Sequence, residues 1–227
     1  MRGVAAVLSV DGLAAFRTPA GFAAAGWFAV FAAALASTLA YLLVHKERAE
    51  DEAARLAMLD PLTGAYNRRT FHETAERELA RARRAGQPLS MVLMNIDHFR
   101  AINERHGHVV GDEVLVRFAD LVRDVLRKED MLVRFGGEEF LVLLPDVPGP
   151  GAVVVAGRLR RRVSEAAITA AGTDFNVTVS IGVAARLDEG PESVETLIDR
   201  ATSALALAKE RGRNRVVALS LGRSIAA

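Results

Sequence analysis

The 227-residue chain contains no cysteine. That absence excludes disulfide scaffolds, thiolate zinc sites and cysteine nucleophiles, and it fits a reducing compartment. An excess of either charge is missing too. Lys and Arg number 29 against 28 Asp and Glu, a net of +1, so no broad basic surface for nucleic acid is implied. One stretch lacks charge altogether: residues 21–44, GFAAAGWFAVFAAALASTLAYLLV. Hydrophobic residues make up 51% of the chain and mean hydropathy is +0.18. These values are high for a soluble protein, and the excess is concentrated near the N-terminus.

As a helix the charge-free run would be about 36 Å long, enough to cross about 30 Å of hydrocarbon. Trp27 and Tyr41 lie toward its two ends, where amphipathic rings prefer the membrane interface. A cleaved signal peptide is the competing reading, because Ala34-Leu35-Ala36 resembles a small-residue cleavage site. Apolar character continues through Leu42-Leu43-Val44, which favours a single membrane span over 21–44. Residues 1–20 form a weakly apolar lead whose sequence points to no particular role. Arg2 and Arg17 precede the span while His45, Lys46 and Arg48 follow it, so flanking charge barely orients it. Residues 45–59 have high helix propensity. Ala49, Ala53, Leu56 and Leu59 have the spacing of a short coiled-coil seam, a linker that could carry dimerisation; a plain surface helix reads equally well.

From Asp60 onward helical and strand patterns alternate over residues 60–220, with 221–227 as a tail. Asp60-Pro61-Leu62-Thr63-Gly64 breaks the linker helix, and Asn67-Arg68-Arg69 opens another that runs to about Arg84. Residues 88–97 read as a strand buried on both faces. Asn95 and Asp97 at its end share a face, as a metal edge or as turn caps. A short helix, a Gly-containing break and an amphipathic helix over about 110–126 follow. Met131-Leu132-Val133 and Leu141-Val142-Leu143-Leu144 flank Arg134-Phe135-Gly136-Gly137-Glu138-Glu139-Phe140, the pattern of a β-hairpin. Adjacent carboxylates on a tight, uncluttered turn suit a hard cation with phosphates beside it. Arg127 and Asp130 read as an i,i+3 ion pair. Gly149-Pro150-Gly151 reads as a loop, then a helix over 152–168 carrying Arg158, Arg160, Arg161 and Arg162, a strand over 174–186, a helix over about 194–210 and a last strand over 215–219. Lys209 and Arg213, near a helix end with Gly212 between them, suit a phosphate clamp or simply oppose the helix dipole.

Four blocks in order resemble the GGDEF family of diguanylate cyclases, in its GGEEF form, over about residues 59–219. They are DPLTGAYNRR; the run holding Phe99, Ile102, Asn103, Gly107, His108, Gly111, Asp112 and Leu115; the RFGGEEF hairpin; and AKERGRN at 208–214. VTVSIGVA at 177–184 adds to them. The resemblance implies a palm-like fold, a mixed central sheet with surrounding helices. It implies condensation of two GTP into cyclic di-GMP and two pyrophosphates across a homodimer, with Mg²⁺ or Mn²⁺. It also places the catalytic domain in the cytosol, where GTP is, on a bacterial inner membrane crossed once.

Carried over, Glu138 is a metal ligand and catalytic carboxylate with Glu139 beside it, and Asn95 and Ile96 complete the metal positions. Gly136 and Gly137 admit the nucleotide to the backbone. Asn103 and Asp112 read the guanine edge. Lys209 and Arg213 hold terminal phosphates, helped by His98, Phe99 and Arg100. Arg127 and Asp130 form the product-binding RxxD site, with Arg158 as a secondary contact. Three departures bear on these roles. Asn95 stands where the family has a metal-binding Asp, which removes a negative charge. Arg100 replaces Lys. Thr202 and Ala206 replace Asp and Tyr. Two other readings stay open: a catalytically weak domain acting as a cyclic di-GMP receptor, and a scaffold that only dimerises at the membrane.

Overall fold

A computed structural model describes residues 19–56, 58–187, 192–220 and 223–226. The lead through residue 18 lies outside them. The chain divides into two units, residues 1–57 and 58–227.

Among the described residues, the first unit contains one helix, α1 (Pro19–Leu56). Within it, Gly26–Lys46 is long and apolar enough to cross a membrane. Its apolar side chains from Gly26 to Lys46 are exposed, Trp27 and Phe28 each at 76%. The two aliphatic hydroxyls in the run, Ser37 and Thr38, both donate to the Ala34 carbonyl at 2.9 and 2.8 Å, so neither needs water. Side chains at Ala49, Ala53 and Leu56 lie outside the described residues, and with them the proposed seam.

The second unit is built on a seven-stranded mixed sheet, with strands taken in chain order as β1 (Tyr66–Asn67), β2 (Leu89–Ile96), β3 (Met131–Gly136), β4 (Glu139–Pro145), β7 (Val179–Ala185), β8 (Val216–Ser220) and β9 (Arg223–Ala226). Their spatial order is β1-β3-β4-β2-β7-β8-β9. β1 pairs with β3, and β7 with β8, in parallel; the other pairings are antiparallel. All eight residues of β2 are buried, as its almost wholly apolar run requires of a central strand, with Ser90 and Asn95 its two buried polar side chains.

Alternation sorts the core into two. Val92, Met94 and Ile96 of β2, with Phe140, Val142 and Leu144 of β4, face α3 (Phe99–His106), α4 (His108–Arg123) and α5 (Gly149–Glu165). Leu89, Met91 and Leu93, with Leu141 and Leu143, face α2 (Arg68–Ala85) and α6 (Val194–Glu210). Gly182 of β7 is where α6 comes closest: a Cβ there would overlap the Ala201 carbonyl and the Leu205 amide.

Three expectations change. Gly149-Pro150-Gly151 is the first turn of α5 rather than a loop, because proline there removes an amide that has no helical partner anyway. The helix expected to reach 168 stops at Glu165, and residues 167–176 form a separate hairpin of β5 (Ala167–Ala170) and β6 (Thr173–Asn176). Its two-residue turn places Ala171 at φ 47° and Gly172 at φ 74°, the left-handed pair such turns demand. Finally, Arg223–Ala226 of the expected tail is the edge strand β9.

Candidate active site

The signature turn is tighter than the Gly-Gly pair suggests. β3 runs through Gly136, and the two linking residues are Gly137 (φ 46°) and Glu138. The acids therefore do not share the tip: Glu138 occupies it, and Glu139 opens β4. A Cβ built at Gly136 or Gly137 would meet nothing within 4 Å, so the surface around both is bare. Arg134 fastens the turn, donating from Nε to the Gly137 carbonyl at 3.0 Å. Its other end pairs with Asp60 at 3.2 Å, in the Asp-Pro-Leu-Thr-Gly turn 74 residues earlier. Burial pushes the Asp60 carboxyl up, but hydrogen bonds from the Thr63 hydroxyl and amide and the Arg134 charge together hold it below its ordinary value.

Next to the turn lies the end of β2. Asn95, 5% exposed, is in register with Glu139 and donates from Nδ2 to its Oε1 at 3.4 Å. The Ile96 amide donates to the Glu138 carbonyl at 3.4 Å. Asp97 does not join this edge. Its carboxylate accepts from the Ser180 and Thr178 hydroxyls, each at 2.7 Å, and from the Asn214 amide at 3.1 Å. Of the two readings left open for Asn95 and Asp97, a metal edge or turn capping, Asp97 follows the second, its carboxylate spent on hydrogen bonds to β7 and its neighbours, and Asn95 alone stands beside Glu139. With an amide at 95, no three His, Cys, Asp or Glu side chains gather as a metal site among the described residues.

Glu138 lines a cleft of about 410 Å³ with Phe99, Arg100, Asn103, Glu104 and His108. His98, at φ 58°, turns the chain from β2 into α3. Asn103 Oδ1 is buried without a hydrogen-bond partner. It fits only because residue 111 is glycine, since a Cβ there would overlap that oxygen. Asp112, one residue on, is exposed and lies one helical turn from His108. Arg100 is 89% exposed and pairs with Glu104 at 2.7 Å, an i,i+4 contact that solvent weakens. Glu104 and His108 were not expected to line the cleft; His108 was visible only as part of a matching block. At the end of α6, Gly212, Arg213 and Asn214 have φ of 104°, 59° and 45°. Arg213 is exposed and Lys209 half-buried.

The far end of β3 carries a second cleft, about 320 Å³, lined by Gly64, Tyr66, Arg123, Arg127, Lys128 and Asp130 among others. The expected Arg127–Asp130 ion pair is replaced by backbone bonding: the Arg127 amide donates to Asp130 Oδ2 at 2.8 Å. Asp130 Oδ1 is buried and unpartnered. Burial pushes this carboxyl above its ordinary value, against the hydrogen bond and charge of Arg127, and Glu129 adds to the rise. Arg158 stands on α5, donating to the Val125 carbonyl at 3.4 Å, and does not line this cleft.

A mixed sheet with helices on both faces and a bare acidic turn beside an amide-bearing cleft define a palm-like α/β domain. Residues 57–215 match the family described as diguanylate cyclase, GGDEF domain, and the chain belongs to that family. It is 42% identical over 169 residues to the response regulator PleD of Caulobacter vibrioides, covering 74% of this chain and 37% of PleD. The GGDEF domain of DgcB from Caulobacter crescentus, solved with c-di-GMP, superposes with a TM-score of 0.68 at 32% identity, covering 71% of this chain and 95% of that one. An active GGEEF domain of a diguanylate cyclase from Vibrio cholerae gives 0.63 at 32% identity, with coverage of 68% and 97%.

Proposed function

We propose that the protein is a membrane-anchored diguanylate cyclase. Two GTP molecules, one on each subunit of a homodimer, condense into cyclic di-GMP. Each 3′-oxygen bonds to the other nucleotide's α-phosphorus, the α–β anhydride bond breaks, and pyrophosphate leaves. The observation that carries the reading is Glu138 on a bare glycine turn, beside Asn95 and a cleft holding the unpartnered Asn103 oxygen.

Asn103 and Asp112 recognise guanine, an amide and an acid suiting its mixed donor–acceptor edge. The amides at the start of α3, His98 and Phe99, meet phosphate at a helix N-terminus, and Arg100, Lys209 and Arg213 add charge. Glu138, the acid at the tip, is placed to draw the proton from the attacking hydroxyl. The donor set suits a hard cation. Asn95 spends Nδ2 on Glu139, and no described donor reaches its Oδ1. Glu138, Asn95 Oδ1 and the Ile96 carbonyl would hold Mg²⁺ or Mn²⁺, which when bound supplies charge stabilisation at the α-phosphate.

Product would bind at the second cleft, where Arg127 offers a guanidinium unpaired among the described residues and Asp130 an unpartnered oxygen. The same cleft favours the second reading, a weak enzyme acting as a cyclic di-GMP receptor, to which Asn95 also points. Gly26–Lys46 of α1 supports a single membrane span, and the domain is assigned to the cytosol because its substrate, GTP, is there.

The test is pyrophosphate and cyclic di-GMP production by the full chain in nanodiscs, with GTP and Mg²⁺ or Mn²⁺. Turnover is expected to climb with the number of chains per disc, because only a dimer reacts. Cyclic di-GMP binding without turnover in either metal would establish the receptor instead.

A further inference from the structure

Asp97 has no part in the chemistry described above, yet it is 5% exposed and both its carboxylate oxygens accept hydrogen bonds. It follows the Asn95-Ile96 edge directly and precedes His98, whose φ of 58° starts α3. On its other side, Asp97 Oδ2 takes the Asn214 amide at 3.1 Å across 117 residues. The Asn214 side-chain oxygen is held in turn by Arg160 Nη1 at 3.1 Å. Arg213 and Asn214 both sit in the left-handed region, which a non-glycine residue adopts in succession only when its surroundings enforce it. The carboxylate that anchors this turn is thus covalently continuous with the strand that carries the metal edge.

Resting on the GTP reading, we propose that Asp97 is a positioning residue: it latches the Gly212–Asn214 turn to the end of β2, so that Arg213 and the amides of α3 address the same triphosphate. Ser180 and Thr178 fix the carboxylate from β7 and the residue before it, leaving Oδ2 aimed at the Asn214 amide. Substituting an isosteric amide keeps the shape and removes an acceptor. The turn is then free to leave its left-handed conformation, and the phosphate end of the substrate loses its clamp while the guanine end keeps Asn103.

The test compares binding of 3′-deoxy-GTP, which cannot condense, with binding of GMP, using calorimetry on the full chain. Asp97→Asn is expected to weaken 3′-deoxy-GTP about tenfold, the worth of one hydrogen bond to a charged group. GMP binding is expected to change by less than about twofold, and Asp97→Asn added to Arg213→Ala to cost nothing further, as coupled sites behave. Equal loss of both nucleotides, or additive losses, would overturn the latch while leaving the substrate reading intact. A wild-type chain that binds neither nucleotide would overturn both.

A second pair of variants reads the same turn without touching β2. Asn214→Val cannot adopt the left-handed conformation easily and is expected to reproduce the selective loss, whereas Asn214→Gly keeps both that conformation and the amide and is expected to bind 3′-deoxy-GTP like wild type. Indistinguishable valine and glycine variants would overturn the proposal.

Discussion

The two ends of β3 carry the two clefts, and they are finished to different degrees. At the product end every group the reading needs is present: a guanidinium unpaired among the described residues and a buried carboxylate oxygen waiting for a donor. At the catalytic end Glu138 and Glu139 stand beside an amide where the family has an acid, and that amide already leans on Glu139. On the proposed function, the difference teaches that binding product and turning substrate over draw on separate residues in one domain. One end can weaken without the other.

The sharpest way to break the comparison is Glu138→Gln. Turnover is expected to fall by about a hundredfold or more, while calorimetry shows unchanged cyclic di-GMP affinity at the far cleft. Arg127→Ala should do the reverse, costing about 10–100-fold in cyclic di-GMP affinity and leaving the initial rate of pyrophosphate release intact. Asn95→Asp sharpens the contrast by restoring charge. Mg²⁺ affinity and turnover are expected to rise about fivefold, and no change in either would refute the account of that position.

Acid separates the ends more gently. Asp130 titrates above the ordinary 3.8, so product affinity measured against pH should fade on acidification before an ordinary aspartate would protonate. Asp60 is held below that value, so the stability it contributes is present above the unfolded-state pKa. That contribution is lost only as pH falls through its lowered folded-state pKa. The smallest expected effect is Arg134→Ala, which frees the Gly137 carbonyl and Asp60 together. It should lower thermal stability by about 1–3 kcal/mol, with both clefts still able to bind.

The sequence displays the elements whose cause is local. β2 is almost wholly apolar, the β3–β4 turn is marked by glycine, and α2 is capped by Asn67, whose side chain accepts from the Thr70 amide. What escapes it is either atypical or distant. The β5–β6 hairpin turns on Ala171-Gly172, without the Asn-Gly or Asp-Gly pair that signals such a turn. Asp97 and Asn95 look alike in a strand two residues apart, and only the arrival of β7 and the 212–214 turn tells them apart. The Arg134–Asp60 tie spans 74 residues, and no periodicity encodes it. For the site itself, composition at Glu138, Asn103 and Lys209 is legible, while the glycine at 111 reveals its purpose only when Asn103 is seen against it.

The burial of β2 on both faces also sets a hazard in time. During synthesis this strand leaves the ribosome before either neighbour, and β7 follows it roughly 80–90 residues later, a wait of roughly 5–20 s at bacterial elongation rates of roughly 5–20 residues per second. For that interval a strand with six apolar residues has at least one edge unpaired on a nascent chain. Chaperone demand should therefore peak before the C-terminal third is made, and a ribosome-stalling series that probes aggregation should find its worst lengths between β2 and β7.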